Sequence, residues 1–205
     1  MMAGGTLAGA GESGGRTLST WPGTARLRLM SPASCGAWPA RRWTRPGGTR
    51  LSGWGHDWVP LGLWAVISSP LLRARQTAQP VAGRAGLEVA TGRCLLDRDY
   101  GQWTGISRDA VAAQWGSADR APGVEPRSAV AGRAVRGLSD IARRYLGGSV
   151  TVVSHDAVNR QVLVAFDAGL GDPDTIPQDN GCFNTLLWKG GRWAVLGVNE
   201  LPEGP

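Results

Sequence analysis

No stretch of the 205-residue chain approaches the ~20 consecutive apolar residues that a membrane-spanning helix needs. The start also lacks a charged region followed by an apolar core, so neither a membrane partner nor secretion is expected, and the cytoplasm is the expected location. Cysteine is scarce: Cys35, Cys94 and Cys182 are far apart, with no Cys-x-x-Cys pair and no histidine beside them. That spacing argues against a disulfide framework and against zinc. No phosphate loop, dinucleotide fingerprint or internal repeat is present, so no cofactor is expected. Histidine is limited to His56 and His155. Any chemistry that needs an imidazole must use one of these two.

A second shortage is regional. Residues 1–60 hold seven arginines, two acids, five tryptophans, twelve glycines and five prolines, but only one valine and no isoleucine, phenylalanine, tyrosine or lysine. A segment so poor in β-branched residues is not expected to supply a strand or a regular apolar helix face. Its net charge of +5 (7 minus 2) is most of the chain's +6, which leaves residues 61–205 nearly balanced. Four readings of this head stand open. An arginine- and tryptophan-bearing nucleic-acid arm fits "ARRWTRPGGTR" at 40–50. A transit peptide fits the low acid content, but "GGTLAGAGESGG" is not amphipathic. A disordered extension fits the glycines. A shifted reading frame of a GC-rich gene accounts for the most features at once. The expected organisation is a low-order head at 1–60 outside the fold and one domain at 61–205.

What the chain does contain is two segments with the same grammar. In "VISSPLLRARQTAQ" at 66–79, a short β-branched run ends in Ser-Ser-Pro and passes into a helix, with Ser69 as the expected cap and Pro70 at the first helical position. Leu71, Ala74, Ala78, Val81 and Ala85 recur at helical spacing, which puts Arg73 in the first turn beside a strand's carboxyl end. Pro80 removes a helical hydrogen bond, so a kink or break is expected there. In "TVVSHDAVNR" at 151–160, a valine strand ends at Ser154-His155 before another helix. Ligands of α/β sheets bind at such carboxyl edges. A solvated arginine and a structural histidine are the plain alternatives for Arg73 and His155.

The coarse order is strand 64–68, helix 70–86, strand 87–91, a loop bearing Asp97, helix 127–146, strand 149–154, helix 157–167 and a hairpin over 185–198 turning at Gly190-Gly191. Alternating strands and helices give an α/β three-layer sandwich with a mostly parallel sheet.

Three ordered motifs, "SSPLLRARQTA", "LLDRDYGQWTG" and "VVSHDAVNR", resemble the histidine phosphatase superfamily, also called phosphoglycerate mutase-like, over about residues 64–200. "GVEPRSAVAGRAVRGL" at 123–138 and "PQDNGCFNTLLW" at 177–188 resemble a further helix entry and a return strand of that family. The resemblance implies metal-independent phosphomonoester hydrolysis or phosphoryl transfer on a small phosphorylated metabolite. It assigns Arg73 and His155 to the phosphoryl group. Matching on Gly101, Trp103 and Gly105 gives Asp97 the role of acid to the leaving group, one methylene shorter than the usual glutamate. Trp103 is expected to pack on the core, Glu125 to compensate a helix dipole, Arg160 to sit on the surface or rim, and Asn184 to serve a turn.

The family's Arg-His-Gly triplet, which normally closes the first strand and carries the nucleophilic imidazole, is not found in this chain. His56 lies in "GWGHDWVP", without the strand and arginine that would mark it as that nucleophile. The sheet is therefore expected to lack a central member and the chain to be inactive as written. The competing class is a phosphate-ligand-binding pseudoenzyme. Nucleic-acid binding through the head comes third and would weaken steeply with salt. Substrate identity and oligomeric state are not readable from the residues.

Overall fold

The computed structural model describes residues 23–32 and 62–201. Six strands form one sheet: β1 (Thr24–Met30), β2 (Leu63–Ser68), β3 (Val89–Thr91), β4 (Ser149–Val153), β5 (Phe183–Lys189) and β6 (Arg192–Glu200). The helices are α1 (Leu72–Ala85), α2 (Arg108–Trp115), α3 (Arg127–Arg144) and α4 (Asp156–Phe166). Strand order is β3-β2-β4-β1-β5-β6. The first four run parallel, and β5 and β6 add an antiparallel hairpin. The fold is thus the expected α/β sandwich.

Each sheet face has its own core. Ala25, Leu27, Leu29, Ala65, Ile67, Val150 and Val152 pack with Val130, Ala134 and Leu138 of α3 and Val158, Val162 and Leu163 of α4. Met30, Val66 and Val153, offset from these by the pleat, pack with Ala74, Ala78, Val81 and Ala82 of α1. Helices on both faces explain why β2 and β4 bury residues on both sides.

The expectation that residues 1–60 lie wholly outside the fold is corrected by β1. Thr24–Met30 occupies the interior of the sheet, parallel to β4 and antiparallel to β5. The sheet does not lack a central member. "TARLRLM" has no β-branched residue after its threonine, yet it alternates with period two, and Leu27 and Leu29 are fully buried. Period outweighed propensity here. The guanidinium of Arg28, on the opposite face, lies 4.6 Å from the centre of the Phe183 ring, a cation–π contact.

Two local expectations also change. Helix α1 runs through Pro80 unbroken. It starts at Leu72 with Leu71 at the cap position, not Ser69, and the Ser69 hydroxyl accepts only a long 3.4 Å bond from Leu71 N–H. Helix α2 adds an element to the expected order. Ser107 caps it by accepting from Ala110 N–H at 3.2 Å.

Candidate phosphate site at the carboxyl edge of the sheet

The parallel strands deliver their following residues to one edge. Ser31 follows β1, Ser69 follows β2, and Ser154-His155 follow β4. Ser154 N–H donates to Met30 O at 3.0 Å and Ser69 N–H to Val153 O at 2.8 Å, so the ladder continues past the strands and holds these residues in register.

The structure brings together the three residues singled out from the motifs. Arg73 reaches back from the first turn of α1, and its Nη2 lies 2.5 Å from Oδ2 of Asp97. His155 Nδ1 lies 3.6 Å from the same oxygen, and its Nε2 lies 2.9 Å from Ser69 Oγ. The other Asp97 oxygen accepts from Arg98 N–H at 2.8 Å. Arg73 Nε is buried and has no hydrogen-bond partner among the described residues. A buried donor without an acceptor is costly, and a guanidinium satisfies it best with an anion.

Burial sets the charge states. His155 is 1% exposed, and its pKa is pushed down to about 3, first by burial and then by the cations of Arg73 and Arg133. The imidazole is therefore neutral at pH 7, and its contact with Asp97 is not an ion pair. Burial pushes the Asp97 carboxyl above its usual range, opposed by the Arg73 cation and reinforced by Asp156. A carboxyl held toward its protonated form suits proton donation.

The loop bearing Asp97 is fixed from α3. Arg133 donates to the carbonyls of Cys94, Leu96 and Asp97 at 2.9, 2.7 and 3.0 Å. Glu125 holds that guanidinium through two bonds of 2.8 and 3.0 Å and also accepts from Asp99 N–H at 3.1 Å. Glu125 thus acts as a counter-ion for Arg133, a role beyond dipole compensation. Gly101 has φ +54, and a Cβ there would lie 2.8 Å from the Gly123 carbonyl oxygen, which explains a glycine at this point of the motif. Trp103 donates from Nε1 to Pro122 O at 2.9 Å and meets Trp115 edge-on, so it braces the loop against α2. A cavity of about 470 Å³ opens beside this loop, with Arg93, Asp97, Asp99, Glu125 and Arg133 in its wall.

A neutral network was missed from the sequence. Gln178 Oε1 accepts from Ser31 Oγ at 3.2 Å, Asn159 Nδ2 at 3.2 Å and Asn184 Nδ2 at 3.0 Å. Asn159 Nδ2 also donates to Ser31 Oγ at 3.0 Å. Asn184 is fully buried and bonds Leu29 O, so it organises the strand end rather than a plain turn. Asn159 follows His155 by one helical turn, the spacing that would have placed both on one face. Arg160 faces away, donating to Asp174 O at 2.9 Å. His56 and Cys35 lie outside the described residues.

No group of three or more possible metal ligands occurs among the described residues, and no described helix is long and apolar enough to cross a membrane.

Comparison with known proteins bears on the family and the fold. A protein of Mycobacterium tuberculosis described as bifunctional is 35% identical over 120 residues, covering 54% of this chain. The chain spans only about a third of that relative, 33% of its length. The fold is shared with a phosphoglycerate mutase from Bacillus anthracis, at TM-score 0.75 and 16% identity over 87% of this chain and 94% of that one. It is also shared with a mycobacterial glucosyl-3-phosphoglycerate phosphatase, at TM-score 0.71 and 19% identity over 87% of this chain and 100% of that one. The family model of the histidine phosphatase superfamily, branch 1, matches residues 44–201, and the chain belongs to that superfamily.

Proposed function

We propose that the chain binds a small phosphorylated metabolite through Arg73 and His155, with Asp97 facing the leaving oxygen, and that as written it does not turn that ligand over. The observation that carries this reading is the convergence of Arg73 and His155 on one oxygen of Asp97, with the Arg73 Nε donor buried and unpartnered beside them. A phosphoryl oxygen would supply the missing acceptor. The neutral His155 offers a further N–H without competing charge.

The same geometry argues against turnover. Phosphoryl transfer through histidine needs a nucleophilic imidazole besides the one that binds the phosphoryl group. The described residues that close β1 are Ser31 and Pro32, and their side chains cannot form a phosphohistidine. In the active form of such a site, the absent imidazole would attack phosphorus while Arg73 and His155 spread the charge on the equatorial oxygens and Asp97 protonated the departing oxygen. Contacts of that kind are each worth ~3–4 kcal/mol in the transition state. Binding survives loss of the nucleophile; rate does not.

A shifted reading frame after β1 is our account of why the Arg-His-Gly triplet is not found in the chain. Residues 24–30 carry the pattern of a buried strand, whereas 33–60 hold one valine and no isoleucine. We place the protein's ligand in the cytoplasm as a free metabolite. The test is calorimetry with inorganic phosphate alongside hydrolysis of 4-nitrophenyl phosphate. Binding lost in Arg73→Met, with no hydrolysis above background, supports the reading. Hydrolysis abolished by His155→Ala would instead make the chain an active phosphatase.

A further inference from the structure

Ser69 is the one polar group in contact with His155 that the scheme above leaves without a role. Its backbone N–H is tied to Val153 O at 2.8 Å, two residues before His155, so its side chain is held at a set distance from the imidazole. Its Oγ lies 2.9 Å from Nε2, and both side chains are sealed, at 0% and 1% exposure. Leu71 N–H approaches the same oxygen from the other side at 3.4 Å.

A hydroxyl has one proton to donate. With Leu71 N–H directed at Oγ, the acceptor for that proton among the described residues is Nε2 of His155. Nε2 is then bare, and a neutral imidazole must carry its proton on Nδ1. The reverse arrangement, with Nε2–H donating to Oγ, would turn the bare lone pair of Nδ1 toward an Asp97 oxygen that already accepts from Arg73 Nη2, and would leave the serine proton without an acceptor among the described residues.

We infer that Ser69 is the positioning residue of this site: it selects the Nδ1–H tautomer of His155 and so turns an N–H donor toward Oδ2 of Asp97. The tautomer follows from the contacts alone. Its use, donation to a phosphoryl oxygen, rests on the phosphate-site reading proposed above. Ser69 itself is poorly placed to be a nucleophile, because it is sealed and its imidazole neighbour is a weak proton acceptor.

The experiment is a nitrogen-15 imidazole spectrum of the full chain near pH 7, with His56→Gln so that His155 is the remaining imidazole. A single form with Nδ1 protonated and Nε2 bare is expected. Ser69→Ala should shift population into the Nε2–H form, and Ser69→Thr, which keeps the hydroxyl, should restore the original pattern. An Nε2–H form with Ser69 intact, or an unchanged pattern in Ser69→Ala, would overturn the assignment. Should Ser69→Ala fail to fold, the spectra with Ser69 intact and in Ser69→Thr still decide it, since an Nε2–H form in either overturns the assignment. Adding inorganic phosphate separates the two claims. Movement of the Nδ1 resonance supports its use as a phosphoryl donor, whereas a resonance unmoved by phosphate would sink that use and leave the tautomer standing.

Discussion

Arg73 and His155 share one partner atom, Oδ2 of Asp97, at 2.5 and 3.6 Å. A phosphoryl group entering this site meets a guanidinium already held by a carboxylate. Anion binding must therefore compete with Asp97, or follow its protonation.

Replacing that carboxylate removes the competition. Asp97→Asn should tighten inorganic phosphate binding by about tenfold at neutral pH, because a like charge beside the anion is lost while Arg73 is released. In the unaltered protein, binding should tighten as pH falls and Asp97 takes up its proton. Calorimetry at neutral and lower pH checks both, and weaker binding in Asp97→Asn would contradict the competition.

His155 makes the fold acid-sensitive. Its folded pKa of about 3 lies below its ordinary 6.5, so the unfolded chain binds the extra proton first. The stabilising contribution is complete above pH 6.5 and drains as pH falls toward 3, with a total on the order of a few kcal/mol. Asp97 works the other way: its raised pKa means that stability is lost as pH rises through it. Urea midpoints between pH 7 and 4 should fall less steeply in His155→Gln than in the unaltered chain.

The strand at 24–30 is testable directly. Leu27 is fully buried in the interior of the sheet, so Leu27→Ala should cost about 2–5 kcal/mol. A change under half a kilocalorie in denaturant unfolding would mean that this segment is not part of the cooperative fold.

Arg133 should matter for both stability and site geometry. Arg133→Met removes the donor to three carbonyls of the Asp97 loop and takes two bonds from the Glu125 carboxylate. A loss of about 2–4 kcal/mol is expected, together with weaker phosphate binding. Glu125→Gln, which keeps a weaker acceptor, should cost less.

Arg73 and His155 could be placed from the sequence because each sits in a motif whose local grammar, strand then turn then helix, fixes where it falls, whereas Asp97 lies in a loop and was reached through the family resemblance, by matching on Gly101, Trp103 and Gly105. The hairpin was legible from Gly190-Gly191, a two-residue turn between two apolar runs. Strand β1 was not, because a composition argument looks for β-branched residues, and Ala25, Leu27 and Leu29 satisfy the strand by alternation alone. The Ser31–Asn159–Gln178–Asn184 network was hidden for another reason. Its members are joined across 128 and 147 residues of chain, and nothing in the pattern around a lone Asn or Gln records a partner that distant. Pro80 shows the limit of a breaker rule: packing of Ala78, Val81 and Ala82 against the sheet keeps α1 continuous through it.

The reading frame gives a check independent of the protein. Translating the DNA that encodes residues 31–61 in the other two frames should reveal an Arg-His-Gly placed to follow the β1 strand. Absence of the triplet from all frames would remove the frame account and leave a domain with a replaced segment.

The most direct test of the central claim is trapping with a radiolabelled phosphodonor, using acid lability to detect phosphohistidine, on protein first shown by calorimetry to bind inorganic phosphate. The account predicts binding without any acid-labile label. An acid-labile phosphoryl adduct would contradict it and show that this chain still carries a nucleophilic imidazole.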